Sequence, residues 1–139
     1  MRYSKMRSNK IREATLKKEG KILIGHSYVM VSELPLELLH TTYQDHNRLR
    51  VFAAKGTTCV KCNCVGTRLI VGEDRAGGYH TDVYTQDLKL ITIDHIMPKS
   101  RGGSNDLDNL QPMCSPCNSR KADHIDAEQI IVTMSKFDG

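Results

Sequence analysis

The pattern of apolar positions divides residues 21–56 into a strand region followed by a helix. The stretch KILIGHSYVMV (21–31) is rich in β-branched residues and predicts one strand, or two short strands that meet at Gly25. Between Pro35 and Lys55, the residues that recur at helical spacing are Leu36, Leu39, Tyr43, His46 and Ala53. This recurrence predicts one amphipathic helix that ends at Gly56.

A second segment, YHTDVYTQDLKLITIDH, alternates strand-like residues on both sides of Gln86 and Asp87. Such alternation around a turn predicts a hairpin, and its second strand is expected at 88–94. We expect residues 104–114 to form only a short structured crossing.

The last predicted element is a helix that begins near Ser115. Serine is a good N-cap, and Pro116 suits the first helical position. The inner face of this helix is expected to carry Ile125, Gln129 and Val132.

Positive charge is concentrated at the start of the chain. Residues 1–21 hold eight Lys or Arg against two Glu, whereas the whole chain carries a net charge of +4. A basic arm on a nearly neutral body suits a polyanionic partner. A solvated helix face or a frayed tail explains the same residues equally well.

Composition limits the core and the cellular setting. Aromatic residues are only 5% of the chain and Trp is absent, so a core of Leu, Ile and Val needs further support. There is no apolar run of about 18 residues and no secretory pattern, so we expect no membrane partner. We expect a reducing, cytoplasmic location, in the host cytoplasm if the chain is phage-encoded, where paired cysteines favour metal over disulfides.

Two cysteine pairs supply the missing support. Cys59-x-x-Cys62 and Cys114-x-x-Cys117 together offer the four thiolates of a closed, structural Zn²⁺ site, one zinc per chain. A redox pair is the alternative for either motif alone. The pairs lie 51 residues apart, so a substantial segment is held between them. Cys64 also stands near Cys62, but two intervening residues suit a knuckle turn better, and we expect Cys64 to be a buried or free thiol.

Within that segment, Asp94 and His95 stand where a strand ends in a loop, because Pro98 and Gly102 follow closely. Aspartate is a hard oxygen donor suited to Mg²⁺ or Mn²⁺, and histidine accepts a proton near neutrality. The pair suits metal-assisted hydrolysis of a phosphodiester. An isolated Asp-His pair is weak evidence, since it is more typical of an ordinary ion pair.

The surrounding residues resemble the HNH, or ββα-metal, nuclease family in its four-cysteine branch. The resemblance is carried by CVKC, IDHIMPKSRGGSNDLDNLQPMC and CNSRK, and it covers about residues 57–123. It implies that Asp94 and Asn118 are ligands of a catalytic Mg²⁺ or Mn²⁺ and that His95 is the general base. It also implies that Asn109 holds the loop and orients His95.

Basic residues beside these positions are candidate contacts to DNA phosphates. They are Lys99 and Arg101 on the loop, and Arg120 and Lys121 on the last helix. A plain solvated surface is the alternative for all four. His80 and Asp82 are expected to lie away from the site.

These observations predict an α+β fold, a small zinc-stabilised ββα-metal (His-Me finger) domain with an additional N-terminal helix and strand segment. Residues 1–56 would hold the basic arm, the short strands and the amphipathic helix, and residues 57–139 the nuclease core. The resemblance implies an endonuclease that hydrolyses DNA, with double-stranded DNA as partner. A zinc-stabilised nucleic-acid-binding module without catalysis is the alternative. Phage packaging or recombination, intron mobility and restriction all remain open as roles.

Overall fold

A sheet of six antiparallel strands, arranged in chain order, carries the candidate site. The computed structural model describes residues 22–24, 28–41, 46–74 and 76–122. The strands are β1 Leu23–Ile24, β2 Tyr28–Leu34, β3 Arg68–Glu73, β4 Tyr79–Tyr84, β5 Leu90–His95 and β6 Leu110–Cys114. The α-helices in these ranges are α1, Leu49–Lys55, and α2, Ser115–Lys121. Three short 3₁₀ helices span Leu36–His40, Lys99–Arg101 and Leu107–Asn109. The predicted α+β class is confirmed.

The N-terminal strand region is the second of the two alternatives. β1 and β2 pair as antiparallel strands, with Leu23 opposite Val29. β2 also pairs with β3 as antiparallel strands, and the register of this pairing shifts between Met30 and Ser32. The basic arm at 1–21 lies outside the described residues.

The single helix predicted from Pro35 to Lys55 is wrong. A 3₁₀ helix stops at His40, and Thr41 leaves the helical region with φ −122°. α1 begins only at Leu49. The polar segment between the two helices contains adjacent threonines, whose β-branched side chains lose rotamer freedom in a helix, so it favours an interruption.

The predicted hairpin is present as β4 and β5, which pair through Val83 with Ile91 and Tyr84 with Leu90. The crossing predicted at 104–114 is wrong in part, because its second half is the strand β6. β6 pairs with β5 along its whole length, from His95–Leu110 to Ile91–Cys114. Pro112 argues against a strand in the sequence, but β6 is the edge of the sheet, where a missing N–H is tolerated.

The main core joins α1 to the sheet and to the cysteine pairs. Leu49 and Phe52 of α1 are buried against Leu69, Val83 and Met113 of the sheet. Three thiols, of Cys59, Cys114 and Cys117, belong to the same cluster. Each buried large side chain contributes about 1.5–3 kcal/mol, so α1 is firmly fixed to the strands that carry the site.

The last helix begins one residue before the predicted position. Cys114 is the N-cap, Ser115 opens the helix, and Pro116 lies in its first turn, where a missing N–H costs nothing. The helix is followed by Ala122 at φ +48°. The predicted inner-face residues Ile125, Gln129 and Val132 lie outside the described residues.

Candidate active site and metal centre

Four thiols lie together where the segment between the cysteine pairs closes on itself. The sulfur atoms of Cys59, Cys62, Cys114 and Cys117 all lie within 4.8 Å of one another. Backbone bonds support this arrangement, since Cys59 N donates to Cys64 O at 2.9 Å. Cys64 itself is outside the group. The four predicted thiols are therefore positioned to hold one metal ion.

The thiols of this cluster differ in their electrostatic surroundings. The backbone N–H of Cys64 is the main cause that lowers the pKa of Cys62 to about 6. Burial is the main cause that raises the pKa of Cys117 to about 12. Cys62 is exposed and the other three are buried, so the cluster lies at the edge of the core. A cation at the centre would favour the thiolate form of all four.

Asp94 lies on the face of β5 that is covered by α2. Its Oδ2 accepts hydrogen bonds from Lys121 Nζ at 2.6 Å and from Gln111 Nε2 at 2.9 Å. Two residues earlier, Thr92 Oγ1 accepts from Asn118 Nδ2 at 2.7 Å. Asp94 and Asn118 thus occupy the same β5–α2 contact, although within the described residues no hydrogen bond joins them. The described residues show no hydrogen bond to the Oδ1 oxygen of Asn118.

His95 is the last residue of β5 and points into a different space. It lines a cavity of about 370 Å³, together with Arg48, Arg50 and Phe52 from the region of α1. Its Nε2 lies 2.8 Å from Oδ1 of Asn105. Because an amide oxygen only accepts, this bond assigns the ring proton to Nε2 and leaves Nδ1 as the basic nitrogen.

Asn109 closes the loop that follows His95. Its Oδ1 accepts from Met97 N at 2.8 Å, and its Nδ2 donates to Met97 O at 3.1 Å and to Ser104 O at 2.8 Å. Its backbone oxygen accepts from Ile96 N at 2.8 Å. Among the described residues, the Asn109 side chain bonds to the loop and not to His95, so its implied role in orienting His95 stays a prediction.

The loop is also shaped by a close backbone approach at Gly103. A Cβ at this position would lie 1.7 Å from the carbonyl oxygen of Met97, a distance that excludes any side chain. The preceding Gly102 has φ +89° and open space around it. Two glycines thus serve the same loop for different reasons, one of packing and one of backbone conformation.

The candidate phosphate contacts separate into exposed and buried residues. Lys99, Arg101 and Arg120 are exposed, and Arg120 Nη2 also donates to Cys117 Sγ at 3.1 Å. Lys121 does not fit this role. It is only 8% exposed, and its ammonium donates to Asp94 and to the backbone oxygen of His95. The buried carboxylate of Asp94 pairs with this charge, so Lys121 is not available to bind a phosphate.

Several residues of the cavity were not singled out by the sequence. Asn105 is one of several polar residues in its loop, and no motif distinguishes it. Arg50 lies in a segment that the resemblance does not cover. Asp82, expected to lie away from the site, lines the cavity and pairs with Arg48 at 2.7 Å. Burial, its largest perturbation, raises the pKa of Asp82. His80 lies on β4 and bonds to Asp74, which lies in the β3–β4 turn, at 3.0 Å.

Comparison with known proteins supports the class of this site. Residues 81–131 match the family model described as HNH endonuclease, which confirms the resemblance over that part of the chain. The match contains Asp94, His95, Asn109 and Asn118, and it excludes α1 and the first cysteine pair. The chain matches no curated protein and no solved structure. Among the described residues, no helix has the length and apolar character needed to cross a membrane.

Proposed function

We propose that this protein is an endonuclease that hydrolyses phosphodiester bonds of double-stranded DNA. In this proposal β5, β6 and α2 form the ββα-metal unit, with Asp94 and His95 at the end of its first strand. The location would be the cytoplasm, and the four-cysteine site would hold a structural zinc.

The observation that carries the proposal is the position of His95. Its imidazole lines an open cavity, and its Nε2 bonds to Oδ1 of Asn105, which leaves Nδ1 as the ring nitrogen that can accept a proton. A general base needs this combination of access and a fixed tautomer. Removal of a proton from an attacking water would then be the task of His95, and Asn109 would keep the adjacent loop in register.

The donors near Asp94 fit a hard divalent cation in chemical type. A carboxylate and an amide oxygen are ligands that Mg²⁺ and Mn²⁺ accept. Asp94 and Asn118 would hold the cation, which supplies positive charge to the phosphate and the leaving oxygen. Oδ2 of Asp94 already accepts from Lys121, so Oδ1 is the oxygen left for this role.

The zinc would be structural and have no chemical role in cleavage. Four sulfur ligands fill a tetrahedral site and leave no position for water or substrate. The cluster shares the main core with α1 and the sheet. Zinc would therefore fix β6, which directly follows Asn109, and α2, which carries Asn118.

The direct test is incubation of supercoiled plasmid with the zinc-bound protein and added Mg²⁺ or Mn²⁺. Wild type should nick or linearise the plasmid, and His95→Ala should lose this activity. His80→Ala is the matched control, because it removes a histidine of β4 that does not line the cavity, and it should cleave like wild type.

A protein that binds DNA but leaves the plasmid intact under every divalent ion would contradict the endonuclease. The binding module without catalysis would then be the better account. Equal nicking by wild type and His95→Ala would instead remove His95 from the chemistry.

A further inference from the structure

The cavity beside His95 has one wall from a segment outside the nuclease match. β5 and the loop supply His95, Ile93 and Asn105, and the region of α1 supplies Arg48, Arg50 and Phe52. The nuclease match begins at residue 81. The part of the chain around α1 therefore contributes to the space that His95 faces.

The two arginines on this wall differ in whether a carboxylate balances their charge. Nη1 of Arg48 forms an ion pair with Asp82 at 2.7 Å, so its charge is balanced within the fold. Arg50 makes no ion pair among the described residues. Its Nη2 donates to the backbone oxygen of Asn105 at 3.2 Å, which orients the guanidinium without neutralising it.

Asn105 joins Arg50 to His95. Its backbone oxygen accepts from Arg50, and its side-chain oxygen bonds to Nε2 of His95 at 2.8 Å. Asn105 thus holds both the guanidinium of Arg50 and the imidazole of His95 at the same cavity. A guanidinium offers five N–H donors, and the described residues take up one of them, so donors remain for an anion.

The position of Arg50 is also stable. Its neighbours Leu49 and Val51 are fully buried, and Lys55 at the end of α1 donates from Nζ to Leu110 O at 2.6 Å. A cation fixed on a rigid helix pays little ordering entropy when it binds phosphate. This distinguishes Arg50 from the exposed lysine and arginine of the loop at 99–101.

We infer that Arg50 binds a backbone phosphate of the DNA, beside the bond that is cut, at the cavity that His95 also lines. The inference rests on the proposed function, since it names the residue that seats the same substrate. It makes α1 a substrate-binding part of the nuclease.

The test measures binding of a fluorescent DNA duplex of about 20 base pairs to the zinc-bound protein, without Mg²⁺ or Mn²⁺, across a salt series. Arg50→Gln should weaken binding about three- to tenfold and reduce the slope of log K against log salt by about 0.9, the value for one lost phosphate contact. Arg68→Gln is the matched control. Arg68 pairs with Glu33 on β2, away from the cavity, so its removal should leave the slope unchanged.

A second measurement avoids dependence on a variant that folds poorly. Modification of wild-type arginines by phenylglyoxal, mapped by mass spectrometry, should show that duplex DNA protects Arg50 and leaves Arg68 unprotected. Protection of both to the same degree, or of neither, would overturn the assignment of Arg50.

The outcomes separate this inference from the function on which it rests. If wild type binds and nicks DNA but Arg50→Gln has the same salt slope as wild type, the assignment of Arg50 is wrong and the endonuclease stands. If wild type neither binds nor nicks DNA, the proposed function fails and the inference fails with it.

Discussion

The cysteine cluster and the loop after His95 are held by different forces, although both belong to the segment between the two cysteine pairs. Three of the four thiols are buried in the main core, around a point where a cation would bind them. The loop is mostly exposed, and Asn109 and Gly103 fix its shape. Stability is thus concentrated at the cluster, and the candidate chemistry lies on a loop that a rigid scaffold positions.

The largest effect on stability is expected when one thiol of the cysteine cluster is removed. Cys114→Ser should abolish cooperative thermal unfolding and metal binding, because structural zinc contributes on the order of 10 kcal/mol to folding in small domains. Metal content and circular dichroism measure both effects. Cys64→Ser is the control, and it should retain about one zinc per chain and a cooperative transition.

If Cys64→Ser loses its zinc while Cys114→Ser keeps it, the four-thiol cluster is wrongly composed. The site would then have to be built from Cys62 and Cys64.

Removal of the Asn109 side chain should damage the loop and spare the cluster. Asn109→Ala deletes three hydrogen bonds to the loop backbone, at about 1 kcal/mol each, so we expect a loss of about 3 kcal/mol in unfolding free energy. Zinc content should be unchanged. Urea denaturation and hydrogen exchange of the Met97 amide measure the loss.

Asn109→Asp sharpens the same test. It keeps the oxygen that accepts from Met97 N but places a carboxylate oxygen against the carbonyl oxygens of Met97 and Ser104, so its loss should equal or exceed that of alanine. A smaller loss than that of alanine would contradict these bonds, and loss of zinc from either variant would contradict the separation of loop and cluster.

The two loop glycines should respond unequally to alanine. Gly103→Ala forces a Cβ against the Met97 carbonyl and should cost about 3 kcal/mol, at the upper end for overpacking. Gly102→Ala meets open space at φ +89° and should cost about 1 kcal/mol. Urea denaturation compares them, and equal losses would show that the backbone contact at Gly103 does not shape the loop.

The smallest expected effect is a pH dependence at the start of α1. His46 Nδ1 accepts from Leu49 N at 3.3 Å, and burial is the main cause that lowers its pKa below 6.5. The folded state therefore favours the neutral ring, so this contribution to stability is present above pH 6.5 and is lost as pH falls below it.

His46→Gln should flatten that part of the stability profile. Urea denaturation of wild type and variant between about pH 5.5 and 7.5 measures the difference, and the shared zinc site cancels from it. A variant whose stability falls as steeply as that of wild type would assign the effect to other groups.

The sequence was most informative where covalent spacing fixes chemistry. The two Cys-x-x-Cys motifs define four thiols without knowledge of the fold, because each short turn brings its own pair together. The β4–β5 hairpin was also predictable, since the alternation is regular and interrupted by polar turn residues.

What the sequence could not supply depends on contacts between distant segments. β6 is a strand because it pairs with β5, and Pro112 hides this in the local pattern. Lys121 has the appearance of a surface cation but is buried beside Asp94, 27 residues away. Arg50 and Asn105 meet at His95 only through packing of α1 on the sheet, and no local motif marks either residue.

The most direct measurement of the central claim is the single-turnover rate of cleavage of a DNA duplex by zinc-loaded protein with Mn²⁺. The account predicts that His95→Ala is slower than wild type by about 10²–10⁴-fold, the usual contribution of a general base, with equal zinc content and equal DNA affinity. His80→Ala should match wild type. A His95→Ala protein that cleaves at the wild-type rate would contradict the account.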